Sequence, residues 1–198
     1  EAHERTVVLR YEQAFNFADK CNVGFLATSS DVVVFLNDDM LAVTPNWIET
    51  VLRYLSDSAV GAVGGLLLDE AGRVQCAGHL NVPIPHLYGT GLDPDNPSTA
   101  RSVSEPREIS GLSGACLAMR RDDYAAVGGM CIDLPNNYND VDLGFKLIQR
   151  GLNLIYTPEY RFVHFESASR DPQVHPDELE LIRRRWGGFL ERDPFPPV

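Results

Sequence analysis

Basic residues are scarce in this chain: 17 Lys and Arg stand against 28 Asp and Glu, a formal net charge of −11. That balance argues against a nucleic-acid partner, because nucleic-acid binders need a basic face to meet phosphates. It leaves room for a bound nucleotide, since one metal ion neutralises a diphosphate locally. Long apolar runs are missing too, and none approaches the roughly 20 residues that span a bilayer. The opening EAHERTVVLR carries charges of both signs rather than a basic stretch followed by an apolar one, and does not read as a signal peptide. Cysteine is sparse, with Cys21, Cys76, Cys116 and Cys131 forming no C-x-x-C pair and standing mostly in apolar company, as in GACLAM. Reduced core cysteines in a cytoplasmic protein are expected rather than a disulfide framework. Arg183, Arg184 and Arg185 would let such a protein sit at the inner face of the membrane, although a solvated helix face is the plainer reading.

What is present is an ordinary globular composition, 44% hydrophobic and 23% charged. The 198 residues suffice for one domain over the whole chain, 1–198, with a real core. Thr6 to Leu9 reads as a short strand, and Phe15 to Ala27 as a helix with Phe15, Ala18, Val23 and Leu26 at apolar spacing. Val32 to Leu36 is a continuous apolar run of the kind buried on both faces in the middle of a sheet. Pro45 opens a helix with an apolar face at Trp47, Ile48, Val51, Leu52 and Leu55, and Val60 to Leu68 is the next strand. This β-α-β-α-β order implies an α/β sheet with right-handed crossovers. Residues 79–107, rich in Pro, Gly, Ser and Asp, read as a long loop. Beyond it come a strand in GACLAMRR, a short helix in RRDDYAAVGG, a helix from Asn139 to Arg150 stopped by Gly151, strands in LNLIYT and YRFVHFE, and a last helix from Asp177 to Leu190.

The run VVVFLNDDM delivers Asn37, Asp38 and Asp39 to a strand tip. In open α/β sheets, ligands bind beyond the carboxyl ends of the strands. Adjacent carboxylates need a cation or water between them, and hard oxygen ligands suit Mg2+ or Mn2+. A solvated turn with a helix cap explains the same residues equally well. A phosphatase of the haloacid dehalogenase type would need its nucleophile at Asn37, and an amide cannot take a phosphoryl group. In NNYNDVDLGFKLIQRG, Asp140 shares a helical stripe with Leu143, Gly144 and Leu147, while Val141, Phe145 and Ile148 share another. A carboxylate at a helix start is well held to act as a general base, and Asn139 suits an N-cap. His164, in RFVHFES, falls near a strand end; His3, His79, His86 and His175 have no context that singles them out.

The ordered series NFADKCNVGFLATSSDVVVFLNDDM, PNWIETVLRYL, VGAVGGLLLD, GLSGACLAMRRDDYAAVGG, YNDVDLGFKLIQRG and VHFESASR, closing on WGGFLERDPF, resembles the family 2 glycosyltransferases. The resemblance implies the GT-A fold, a mixed sheet flanked by helices, here incomplete at the N-terminus. It implies transfer of a sugar from a nucleotide-sugar donor, UDP-, dTDP- or GDP-linked, to a glycan or lipid-linked acceptor hydroxyl, with inversion and with Mn2+ or Mg2+. Polysaccharide or cell-surface glycan synthesis in bacteria is the implied setting. The family's DxD motif falls on Asn37-Asp38-Asp39: Asp39 would hold the metal and Asp38 the ribose or the metal's water. The catalytic Glu-Asp pair falls on Asn139-Asp140, making Asp140 the base, with Asn139 and Asp142 on the acceptor side. His164 matches a histidine that completes the metal shell in some relatives. Gly114 and Ala115 match a small-residue turn lining the sugar pocket. Asn22 matches an Asn near the nucleotide, against a competing reading as a helix-surface amide. Missing the segment that binds the base, the chain alone is expected to be weakly active or inactive and to self-associate through exposed sheet surface. Asn37 and Asn139, both standing for acids, support an alternative: a non-catalytic GT-A-like binding module in a larger protein.

Overall fold

The computed structural model describes residues 6–98, 100–165 and 174–195, so the ESASR segment and the end of the Pro-rich tail lie outside the described residues. In chain order the elements are α1 (Phe17–Leu26), β1 (Val32–Leu36), β2 (Met40–Ala42), α2 (Trp47–Leu55), β3 (Val60–Leu68), β4 (Val74–Cys76), β5 (His79–Leu80) and β6 (His86–Leu87). They continue with β7 (Arg107–Ile109), β8 (Cys116–Arg120), α3 (Arg121–Ala126), α4 (Asn139–Gln149), β9 (Asn153–His164) and α5 (Pro176–Glu191). The expected strand at Thr6 to Leu9 is not formed; those residues have no regular structure and are exposed. The segment 79–107 is not bare loop, since β5 and β6 pair as a small hairpin within it.

The main sheet is mixed, ordered β1-β8-β3-β9-β2, with β4 on β3 and β7 on β9. Among the described residues only β3 and β9 run parallel; the other pairs are antiparallel. The expectation of a central β1 is therefore corrected. It pairs with β8 on one side, and among the described residues it has no partner on the other. Burial along β1 alternates between the two faces of the sheet: Val33 and Phe35 are buried, whereas Val34 and Leu36 are 37% and 45% exposed. An all-apolar run marks a strand with apolar groups on both faces, but it does not say what covers the second face. The truly enclosed strand is β3, buried at every position. A methyl group at Gly65 would lie 2.2 Å from the Tyr160 ring and 2.8 Å from its carbonyl oxygen, so β3 and β9 approach closely only because Gly stands there. The register between them shifts at that point, and LNLIYT and YRFVHFE prove to be one long strand.

Helices cover both faces. Val51 and Leu55 of α2 pack with Val63, Tyr160 and Phe162 on one side. Leu143 and Leu147 of α4, with Ala18 of α1, pack against Leu66 and Met119 on the other. The inner stripe of α1 is Phe17, Ala18, Cys21 and Phe25; Phe15, Val23 and Leu26 of the expected face are exposed. On α2, Ile48 and Leu52 are likewise exposed, and the cap is Asn46, one residue after Pro45. The second stripe of α4, Val141 and Phe145, meets Ile182, Trp186 and Leu190 of α5, which is kinked at Trp186. All four cysteines are free thiols, and burial pushes Cys21, Cys76 and Cys116 up to about 12.

Candidate active site

The sheet's register assembles the site. Leu36 pairs with Cys116, and the Asn37 N–H donates to the Ala115 carbonyl at 3.0 Å, so the acidic loop lies beside Gly114 and Ala115. Directly after Asp39 the chain enters β2, where Met40 pairs with His164, and the Phe165 N–H donates to the Asp39 carbonyl at 2.9 Å. That pairing sets His164 Nε2 3.1 Å from Asp39 Oδ1. Asp38 is exposed in the turn between them. His164 Nδ1 lies 2.7 Å from Gln75 Oε1, and Asn37 Nδ2 lies 3.4 Å from Nε2.

This imidazole therefore faces an oxygen acceptor on each side. A neutral ring carries one N–H and donates to one of them, leaving the nitrogen on the other side with a lone pair that can ligate a metal ion. A carboxylate oxygen and an imidazole nitrogen so placed fit a divalent ion. Among the described residues no three His, Cys, Asp or Glu side chains converge to hold an ion unaided. Asp39 and His164 would be its protein ligands, with open positions left for phosphate and water.

Asp140 lies in the first turn of α4, on the far side of Gly114. Its Oδ2 accepts the Gly114 N–H at 2.9 Å and its Oδ1 the Val141 N–H at 2.8 Å, while the side chain stays 20% exposed. A methyl group at Gly114 would meet Asp140 and Phe17 at 3.4 Å, ordinary contact, so Gly114 is not required to be small on that side. The carboxylate is thus fixed by backbone donors with an open flank, the arrangement a general base needs.

Three expected site residues are otherwise engaged. Asn139 is the first helical residue and not the cap, which is Tyr138 in a left-handed conformation (φ 61°). The Asn139 side chain is buried and donates to the Leu134 carbonyl at 3.2 Å. Asp142 is fully buried, held by Trp186 and Arg185 of α5 and by Lys146 of its own helix. Asn22 accepts from the Tyr124 hydroxyl and the Met130 N–H and donates to the Met130 carbonyl, a bracket between α1 and the turn after α3. Short amides at helix starts and surfaces fit either role, and only the partners decide.

Two residues escaped the sequence reading. Gln75 stands in β4, where nothing in VQCAGH marks a glutamine as special. His79 is 5% exposed, with Nε2 3.9 Å from Asp140 Oδ2 and neither ring nitrogen hydrogen-bonded among the described residues. Burial pushes the His79 pKa down; Asp140 opposes that shift and His86 adds to it. With a folded pKa below the ordinary 6.5, the unfolded chain takes up the proton first as pH falls. His79 should therefore cost the fold stability as pH drops below 6.5 and have no such effect above it. Thermal melts of wild type and His79→Leu against pH check this: the variant should lose stability less steeply on the acid side.

Comparison with known proteins shows the family and the fold. Residues 1–128 match the model of the family described as Glycosyl transferase family 2. The chain is 32% identical to the O-antigen biosynthesis protein RfbC of Myxococcus xanthus, over 87% of this chain and 14% of that protein. It is 30% identical to the N-acetylglucosaminyl-diphospho-decaprenol L-rhamnosyltransferase of Mycobacterium tuberculosis, over 73% of this chain and 51% of the relative. An uncharacterized protein of Sinorhizobium fredii, y4gI, is 29% identical over 98% of this chain and 23% of its own length. The chain thus spans about half or less of these relatives. Among solved structures, GalNAc-T7 with UDP, GalNAc and Mn2+ superposes with a TM-score of 0.66 at 15% identity, over 88% of this chain and 36% of that one. The mannosyltransferase PcManGT of Pyrobaculum calidifontis, with GDP-Man and Mn2+, gives 0.55 at 16% identity, over 93% and 52%. The fold is GT-A, and the chain belongs to glycosyl transferase family 2.

Proposed function

We propose that this chain carries the metal and catalytic positions of an inverting glycosyltransferase that moves a sugar from a nucleoside-diphosphate donor to a hydroxyl of a glycan or lipid-linked acceptor. The observation that carries the proposal is the convergence of Asp39 with His164, and of Asp140 with Gly114, on one end of the sheet. A divalent ion held by Asp39 and His164, Mn2+ or Mg2+, would supply the positive charge that a departing diphosphate demands. Asp140 accepts the proton of the acceptor hydroxyl as its oxygen bonds to the anomeric carbon from the face opposite the leaving diphosphate. One displacement of this kind inverts that carbon. The sugar is a hexose or deoxyhexose, and the names of the two characterised relatives support cell-surface glycan synthesis and a diphospho-lipid acceptor. The setting follows from the acceptor: the cytoplasm, at the inner face of the membrane. Among the described residues no helix is long and apolar enough to cross a membrane. Self-association through the uncovered side of β1, with Val34 and Leu36 exposed, belongs to the same reading.

The test is thermal stability with Mn2+ alone and with Mn2+ plus UDP, dTDP or GDP. One nucleotide should stabilise the chain only in the presence of metal, by about 2.7 kcal/mol at a hundredfold excess over its Kd, and Asp39→Ala should abolish the effect. Equal behaviour of wild type and Asp39→Ala would overturn the metal–diphosphate reading and favour a non-catalytic module.

A further inference from the structure

We propose that Gln75 is a positioning residue for the cation seat: by accepting the Nδ1 proton of His164, it keeps the Nε2 lone pair turned toward Asp39. The inference rests on the metal reading of that site. Gln75 stands where β3 and β4 slip in register. Leu67 pairs with Cys76 and Leu68 with Val74, which leaves Gln75 as the extra residue of a bulge. A bulge turns one side chain out of the strand's alternation, a device common beside active sites. The bulged peptide is itself fixed, because the Thr90 hydroxyl donates to the Gln75 carbonyl at 2.9 Å. The side chain so aimed brings Oε1 to 2.7 Å from His164 Nδ1.

The other side of the ring fits the same assignment. Asn37 Nδ2 can only donate, and it lies 3.4 Å from Nε2, as a lone pair there requires. Asp39 Oδ1, the charged acceptor, lies 3.1 Å from Nε2 but out of line for a hydrogen bond with it, whereas Gln75 Oε1 meets Nδ1 in hydrogen-bond geometry at 2.7 Å. The neutral ring then offers a ligand nitrogen beside a carboxylate oxygen, with no proton to displace when an ion enters. Outer partners that fix a histidine's tautomer commonly set metal affinity in this way.

The experiment uses the whole chain, 15N-labelled and metal-free, at a pH where an ordinary imidazole is neutral. Nitrogen–proton correlation spectra should show His164 with its proton on Nδ1. Gln75→Met, similar in size but a poor acceptor, should move the ring toward the Nε2–H form; Gln75→Glu, which keeps the acceptor, should hold the Nδ1–H form. Titration with Mn2+ alone, followed by electron paramagnetic resonance, should show about ten- to a hundredfold weaker binding for Gln75→Met, restored in Gln75→Glu. A wild-type ring protonated on Nε2, or on both nitrogens, overturns the proposal, as does a Gln75→Met variant with an unchanged tautomer or unchanged Mn2+ affinity. If the tautomer behaves as stated but the wild type takes up no Mn2+ with or without nucleotide, the tautomer assignment stands and the metal reading falls.

Discussion

Replacing Asp140 by Asn should slow sugar transfer by about 10²- to 10⁴-fold, the usual worth of a general base, with little change in donor binding. The assay is kcat and KM in the longest active form of the protein carrying this chain. The expectation follows from the two backbone donors on the carboxylate, Gly114 N–H at 2.9 Å and Val141 N–H at 2.8 Å. They fix its orientation, and it stays one-fifth exposed, next to the Gly114–Ala115 turn that also borders Asn37. An amide has one acceptor oxygen where the carboxylate has two, so the variant must set its NH2 against one of those N–H groups. The lost hydrogen bond costs about 1 kcal/mol, too little to mimic a catalytic defect in a folded protein. A variant within about tenfold of wild type in kcat would show that Asp140 does not take the proton.

Asp142→Ala should destabilise the fold by about 3–5 kcal/mol, the range for breaking a buried ion pair, and lower Tm by roughly 10 °C for a chain of this size. Asp142 is fully buried, its Oδ1 2.8 Å from Trp186 Nε1 and 3.3 Å from Arg185, its Oδ2 2.8 Å from Lys146. Lys146 in turn donates to the Gly129 carbonyl at 2.9 Å. One carboxylate thereby ties α4 to α5 and, through Lys146, to the turn after α3. Its removal leaves an indole N–H without its acceptor and two cations without their anion. Calorimetry or chemical denaturation reads the loss. A change below about 1 kcal/mol would mean that water replaces these contacts as at an exposed pair. Asp140 and Asp142 are two residues apart, which on a helix places them on opposing sides, the first toward Gly114 and the second toward α5.

The two stripes of α4 were legible in the sequence because a helix fixes directions locally. Leu143 and Leu147 do pack under the sheet, and Val141 and Phe145 do meet α5. For α1 the same rule failed: Phe17 and Phe25 pack inward, whereas the apolar Val23 and Leu26 stay exposed. Apolarity shows that a residue can be buried, and covering it needs a neighbour that the local pattern does not name. Asn22 and Asn139 illustrate the same limit for polar groups, since their amides are spent on Tyr124, Met130 and Leu134, far along the chain or around a turn.

By itself, the sequence determined that an apolar strand ends in Asn37-Asp38-Asp39, that a helix begins with Asp140 in its first turn, and that these belong to an α/β fold, because period and turn chemistry act over a few residues. The tertiary structure alone decided which groups meet. The pairing of Met40 with His164 brings Asp39 to an imidazole, the bulge at Gln75 presents an acceptor to that ring, and the fold buries His79 beside Asp140. It also decided that, among the described residues, β1 stands at the end of the sheet and β3 is the enclosed strand. Strand pairing and register join residues far apart in the chain, through hydrogen bonds common to every peptide, so no local pattern of side chains specifies them.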